Sequence, residues 1–238
     1  MVIDALNIIN GWPTLLSELD EKNIVEAMAK FKIDKAGVLS SKCIFFDAHT
    51  GNEMAVKACG SFPDKLLALG LIDPRVSIAE EIAYCVENGI KALTLYPETQ
   101  GWSLDSLLAK KLFSELNNAF NMPLMIEAKS CGNIKYLYDL LSDFSAPVIL
   151  VDVSLKNLSE ALELVENAPN IHLTTRTLCG ADTIEMLSKR IGADRLIFSS
   201  SYPVNSFSAA FLATRYAKIP QGDLNAILGD NIAKIFGV

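Results

Sequence analysis

Histidine is nearly missing from this chain, with two in 238 residues, His49 and His172. Histidine is the commonest metal ligand and the commonest proton-transfer group near neutral pH, so a histidine-rich metal centre starts without its ligands. Paired cysteines are missing too. Cys43, Cys59, Cys85, Cys131 and Cys179 are odd in number, widely spaced and free of CxxC spacing, which excludes a disulfide framework and suits free thiols in a reducing compartment. Cys131 alone follows a strand closely enough to be checked for reactivity. No Lys/Arg cluster interleaves with aromatics, and 21 basic against 28 acidic residues leave a formal charge of −7. Nucleic acid is therefore not an expected partner. No apolar run approaches the eighteen or so residues of a membrane span, and the chain opens directly on a strand, so a cytoplasmic protein is expected. Repeats, low-complexity runs and linkers are absent, which predicts one domain over residues 1–238.

What is present is an alternation. Short apolar runs at residues 2–4, 35–39, 66–72, 92–96, 124–127, 148–151, 171–174 and 196–198 are each followed by a helix-periodic or loop segment. Half the residues are hydrophobic, enough for one large core. Eight strands in this setting predict an α/β fold: a single (β/α)8 TIM barrel of parallel strands with an extra C-terminal helix. Ser77-Ile78-Ala79-Glu80 has the form of a capping box and starts a helix that Gly89 stops. Leu104, Leu107, Leu108, Leu112, Leu116 and Phe120 trace a second helix face, ended by Asn121-Met122-Pro123.

The C-terminal stretch is the most specific. Gly192-Ala193-Asp194-Arg195-Leu196-Ile197-Phe198-Ser199-Ser200-Ser201-Tyr202-Pro203, and the terminal Leu228-Gly229-Asp230-Asn231-Ile232-Ala233, resemble the closing strand and last helix of the amidohydrolase-2 type of metal-dependent hydrolase. Resemblance extends to Leu71-Ile72-Asp73-Pro74 and to the segment from Glu98 to Trp102. It implies the barrel fold, a hydrolase ancestry, a frequent homodimer and a metal site at the strand ends. The metal positions differ. Leu6 and Ile8 stand where the family's first strand carries two histidines, Thr94 where its fourth strand often carries lysine, Glu127 and Asp152 where the fifth and sixth regions supply histidine, and Ser201 where the eighth strand supplies aspartate. Purification without stoichiometric zinc is the expectation.

Barrel chemistry sits where strands end. The catalytic candidates there are Glu127, Lys129 and Asp152, and the ligand-binding candidates are Asp4, Tyr96, Arg176, Ser201 and Tyr202, with Trp102 a further aromatic. The leading expectation is a protein with a degenerate metal site that binds a small organic anion without a metal, through Arg176 and Lys129. Replacing Arg176 by Ala is then expected to weaken a carboxylate ligand while leaving the melting temperature nearly unchanged. One alternative is an active hydrolase or decarboxylase in which Asp4, Glu127 and Asp152 converge on Mg²⁺ or Mn²⁺; another is a scaffold without catalysis. A simpler fate is that Asp4 bonds backbone and Glu127 pairs with Lys129. Lys129 at a strand end also has the position of a Schiff-base lysine.

Asp47-Ala48-His49-Thr50 spells the family's first-strand signature but falls after the second strand and reads as a coincidence of text. A Ser201/His49/Asp47 triad would need a loop folded over the mouth. His172 lies early in its strand and reads as a core histidine. Cys43-Ile44-Phe45-Phe46 is too apolar for a loop, and predicts a lid over the mouth or a face for a second copy, with self-association preferred.

Overall fold

A computed structural model describes residues 1–14, 19–119 and 122–238. Its strands are β1 (Ile3–Ile9), β2 (Lys35–Ser40), β3 (Leu66–Ala68, resuming after Leu69 as Gly70–Leu71), β4 (Leu93–Leu95), β5 (Leu124–Glu127), β6 (Val148–Val151), β7 (Ile171–Thr174) and β8 (Leu196–Ile197). All neighbouring pairs are parallel. Backbone bonds carry the ladder across the interruption at Leu69, from Leu69 N to Val38 O (2.9 Å) and from Gly70 N to Ala92 O (3.1 Å). Bonds from Ala5 N to Phe198 O (3.1 Å), Ser201 N to Leu6 O (2.9 Å) and Ile8 N to Tyr202 O (2.8 Å) close β8 onto β1. The expected eight-stranded α/β barrel is the fold.

Side chains alternate across the barrel wall as strand geometry requires. Leu93 and Leu95 join the outer core against the helices, whereas Ala92 and Tyr96 join the inner core with Leu67, Leu69, Met125, Ile149 and Ile197. The wall is tight where β1 meets β2. A methyl group on Gly37 would collide with the Ala5 carbonyl and press on Leu69 Cδ1 at 3.1 Å, so glycine is required there by close backbone approach. β1 runs well beyond the short segment 2–4 read from the sequence and is buried along its whole length. Its asparagine and aspartate interrupt the apolar run without breaking the strand, because Asp4 and Asn7 find buried partners.

The helices are α1 (Glu21–Phe31), α2 (Lys42–Phe45), α3 (Ala48–Gly60), α4 (Ile78–Glu87), α5 (Pro97–Gln100), α6 (Leu107–Ala119), α7 (Ile134–Leu140), α8 (Leu158–Asn167), α9 (Thr183–Ile191), α10 (Phe207–Arg215), α11 (Gln221–Asn225) and α12 (Asn231–Phe236). Ser77 is the N-cap of α4, but its side chain makes no capping bond; the reciprocal box belongs to α1, where Asp20 and Asn23 cap each other. In α6, Ala109, Leu112, Phe113 and Leu116 face the core, whereas Leu107 is 83% exposed. Phe120 and Asn121 lie outside the described residues. Ile232 and Phe236 of α12 join the inner core near the start of β1, where Gly229 lies against Val2. No described helix is long and apolar enough to cross a membrane.

Candidate functional site

The C-terminal ends of β5, β6 and β7 carry four charged side chains in one group. Glu127 closes β5 and is fully buried. Its carboxylate accepts from Thr99 N (2.8 Å) and from the Thr99 hydroxyl, both on α5, and from the Lys129 ammonium. Lys129 Nζ also reaches Thr99 Oγ1 at 3.1 Å and Asp152 Oδ2 at 3.8 Å, with 41% of its side chain exposed. Asp152 follows β6 with φ near +70°, a left-handed conformation that aspartate tolerates better than most residues. Its other oxygen pairs with Arg176 Nη2, and that side chain is only 9% exposed. With its amide oxygen turned inward, Asn205, beyond β8, accepts from Arg176 Nη2 (3.1 Å) and Nε (3.2 Å). Two carboxylates and two cations are thus interleaved across three strand ends. Burial raises the Asp152 carboxyl above the ordinary carboxylate range, against the opposing pull of Arg176 and Lys129.

α5 positions this group. Glu98 accepts from Lys129 N (3.0 Å), Ser130 N (2.9 Å) and the Ser130 hydroxyl, fixing the loop after β5. Thr99 holds Glu127, and Gln100 bonds Ile44 O (3.4 Å) and receives the Trp102 indole N–H (3.2 Å). Glu98 and Thr99 were not among the candidates read from the sequence. The signal was a short carboxylate-hydroxyl pair directly after an inward-facing strand.

Other candidates lie elsewhere. Asp4 is fully buried and accepts from Ser200 N (2.8 Å) and the Ser200 hydroxyl; desolvation lifts its pKa to about 6 despite those bonds. It serves the β1–β8 seam and does not converge with Glu127 and Asp152, which turn to Lys129 and Arg176. Tyr96 is buried in the inner core rather than lining an open mouth, and burial pushes its phenol well above its usual range. Tyr202 packs against Phe207, with ring centroids 6.0 Å apart, and so faces the outer layer. Ser201 is fully buried at φ near +50°, and its hydroxyl, like those of Thr94 and Ser199, has no partner among the described residues. Trp102 is buried in the outer core.

Asp47 caps α3 through Thr50 N (2.8 Å), and His49 sits on that helix between Glu81 (3.0 Å) and Glu53 (3.6 Å), as the coincidental reading requires. His172 donates from Nδ1 to Asn170 O (3.1 Å), and burial lowers its pKa. Cys131 and Cys179 are exposed, and the other three thiols are buried. The apolar segment after β2 divides: Cys43 and Ile44 are buried in α2, while Phe45 meets Trp12 edge to face at 5.0 Å and Phe46 is 78% exposed.

A metal site does not fit these residues. Leu6 and Ile8 lie in the inner core, and both rim carboxylates are already neutralised by side-chain cations. Among the described residues no three His, Cys, Asp or Glu side chains are grouped so that they could hold a metal ion.

A family model described as "Amidohydrolase" matches residues 18–238. No curated protein sequence matches the chain. Solved structures share its fold: 5-carboxyvanillate decarboxylase from Novosphingobium aromaticivorans, complexed with manganese and 4-hydroxy-3-methoxy-5-nitrobenzoic acid, superposes with a TM-score of 0.78 at 16% identity over 100% of this chain and 96% of that one. A probable 2-pyrone-4,6-dicarboxylic acid hydrolase from Acinetobacter baumannii with citric acid bound gives 0.74 at 16% identity over 100% and 99%. 2,6-Dihydroxybenzoate decarboxylase from Rhizobium gives 0.73 at 16% identity over 99% and 98%.

Proposed function

Because the chain belongs to the amidohydrolase family, we propose that it is a member with a degenerate metal site, whose barrel mouth binds a small organic carboxylate through Arg176 and Lys129. The observation that carries this reading is the interleaved group itself. Burying charge is costly unless every charge is paired, and a barrel does not need four charged side chains at three strand ends to fold. Such groups mark functional sites. Two of the four are cations just past the fifth and seventh strands, at the strand ends where the resemblance implies a metal site, so the chain itself can supply a positive centre. Solved relatives of the same fold hold citric acid or a substituted benzoic acid, which supports a carboxylate as the ligand class.

Calorimetric titration with 2,6-dihydroxybenzoate and with citrate, on protein stripped with a chelator, tests the reading. Binding is expected without metal and is expected to weaken about tenfold or more in Arg176→Lys, which keeps the charge but loses the planar fork and its charged hydrogen bonds. Binding that appears only with stoichiometric manganese would overturn it.

A second reading, a metal-dependent hydrolase or decarboxylase, is favoured by the manganese in the decarboxylase relative. It requires Glu127 and Asp152 to exchange their cations for Mg²⁺ or Mn²⁺, and manganese-dependent CO2 release from a hydroxybenzoate would establish it. The scaffold reading needs no ligand at all. Self-association through Phe45 and Phe46 is compatible with each, and loss of a dimer in Phe46→Glu by sedimentation checks it.

A further inference from the structure

With the rim carboxylates paired to cations of the chain itself, the metal-free reading leaves polarisation of a carbonyl at this mouth to a side chain. We infer that Lys129 forms an imine with a small 2-oxo acid whose carboxylate is held by Arg176. The inference rests on the mouth being the binding site and goes further by naming a covalent step and a substrate class.

Four observations point to it. Lys129 Nζ is held from several sides, by Glu127, by Thr99 Oγ1 at 3.1 Å and by Asp152 Oδ2 at 3.8 Å, yet 41% of the side chain remains exposed. Its nitrogen is therefore fixed in place and still open to an electrophile. Glu127 is fully buried, and Thr99 holds its carboxylate from both a backbone N–H and a hydroxyl, which places a proton acceptor against the ammonium before any ligand arrives. Asp152 spans the two cations, one oxygen to each. A ligand with an anionic group and an electrophilic carbon on adjacent atoms meets both cations at once, and a 2-oxo acid is the smallest compound of that kind. Arg176 engages Asp152 and Asn205 through Nη2 and Nε, and Nη1 has no partner among the described residues, so the guanidinium keeps donors for a carboxylate.

The step balances on these atoms. The ammonium passes one proton to Glu127, and the freed lone pair forms the C–N bond at the carbonyl carbon as the π pair moves to oxygen. Two of the three ammonium protons leave with that oxygen as water, the first by way of Glu127, and the third stays on the iminium nitrogen.

Sodium cyanoborohydride added with pyruvate tests this, with intact-mass analysis and peptide mapping as the readout. The expected result is one reduced pyruvyl adduct per chain on Lys129, absent in Lys129→Arg and about tenfold less abundant at limiting pyruvate in Arg176→Lys. Glu127→Gln is expected to slow the adduct while pyruvate still binds. Propionate, which has the carboxylate without the carbonyl, is expected to compete. If calorimetry shows carboxylate binding and no adduct forms, imine formation is overturned and the binding reading stands. If nothing binds at the mouth, both fall. Labelling spread over surface lysines, or unchanged in Lys129→Arg, also overturns it.

Discussion

Two parts of the same barrel bury carboxylates in opposite ways. On the β1–β8 seam, the partners of Asp4 among the described residues are neutral: the backbone and hydroxyl of Ser200, the Asn7 side chain and a 3.5 Å contact from Leu6 N. Across β5 to β7, Glu127 and Asp152 meet Lys129 and Arg176. Hydrogen bonds to neutral donors hold Asp4 in place but do not offset its desolvation, so its pKa rises to about 6. On the other side the compensating charge is built in. The seam is packing that happens to contain a carboxylate, whereas the charged group is an arrangement that packing alone does not call for.

The largest expected effect breaks the charged side. Arg176→Ala leaves Asp152 buried without its cation, a change that costs about 3–5 kcal/mol in comparable buried pairs. The melting temperature is therefore expected to fall well below that of the native protein, correcting the expectation that it would stay nearly unchanged, because the structure buries Arg176 against Asp152. The double change Arg176→Ala with Asp152→Ala is expected to regain part of that loss; thermal denaturation of both proteins measures it.

Gly37→Ala tests the packing on the other flank of β1, where it meets β2. Its new methyl group meets the Ala5 backbone as well as Leu69 Cδ1, so β1 and β2 must separate, at about 3 kcal/mol. Urea unfolding checks the value, and unchanged stability would mean the β1–β2 contact is looser than described.

Asp4→Asn sharpens the contrast through pH. The folded state binds the Asp4 proton more tightly than the unfolded chain, with a pKa of about 6 against 3.8, so this group's contribution declines as pH rises from about 4 to about 6 and stays unfavourable above it. The neutral amide removes that penalty and can still bond Ser200. The variant is expected to be more stable than the native protein by about 3 kcal/mol at pH 7.5, about 1.36 kcal/mol per pKa unit, and to lose its advantage near pH 4. Equal stability of the two proteins across that range would show Asp4 to be solvated after all.

The smallest stability effect is expected from Lys129→Met. It leaves the buried Glu127 carboxylate without its cation, but the lysine is partly in water and both Thr99 bonds remain, so the loss is about 2 kcal/mol, below that expected of Arg176→Ala. Carboxylate binding is expected to be lost as well, and calorimetry on the folded variant below its melting temperature separates that loss from the stability change.

The alternation of apolar runs and helix-periodic stretches, with the close of the chain from Gly192 to Pro203, determined the barrel and its strand order without any coordinates, because a strand buried on both faces writes itself as a short continuous apolar run. The same reading located Glu127, Lys129, Asp152 and Arg176 at strand ends, since position along a parallel strand sets which end of the barrel a residue reaches. It also foresaw the plainer fate of Asp4 and the pairing of Glu127 with Lys129. Only the tertiary structure decided which of the polar residues meet. Tyr96 and Tyr202 look alike in the sequence, yet one enters the inner core and the other packs outward on Phe207, because facing depends on where the strand stops alternating. The partner of Arg176 lies just past β6, and the clamp on Glu127 comes from α5, the element that follows β4. Those contacts join residues some two dozen positions apart, and no local pattern encodes them; closing the barrel brings them together.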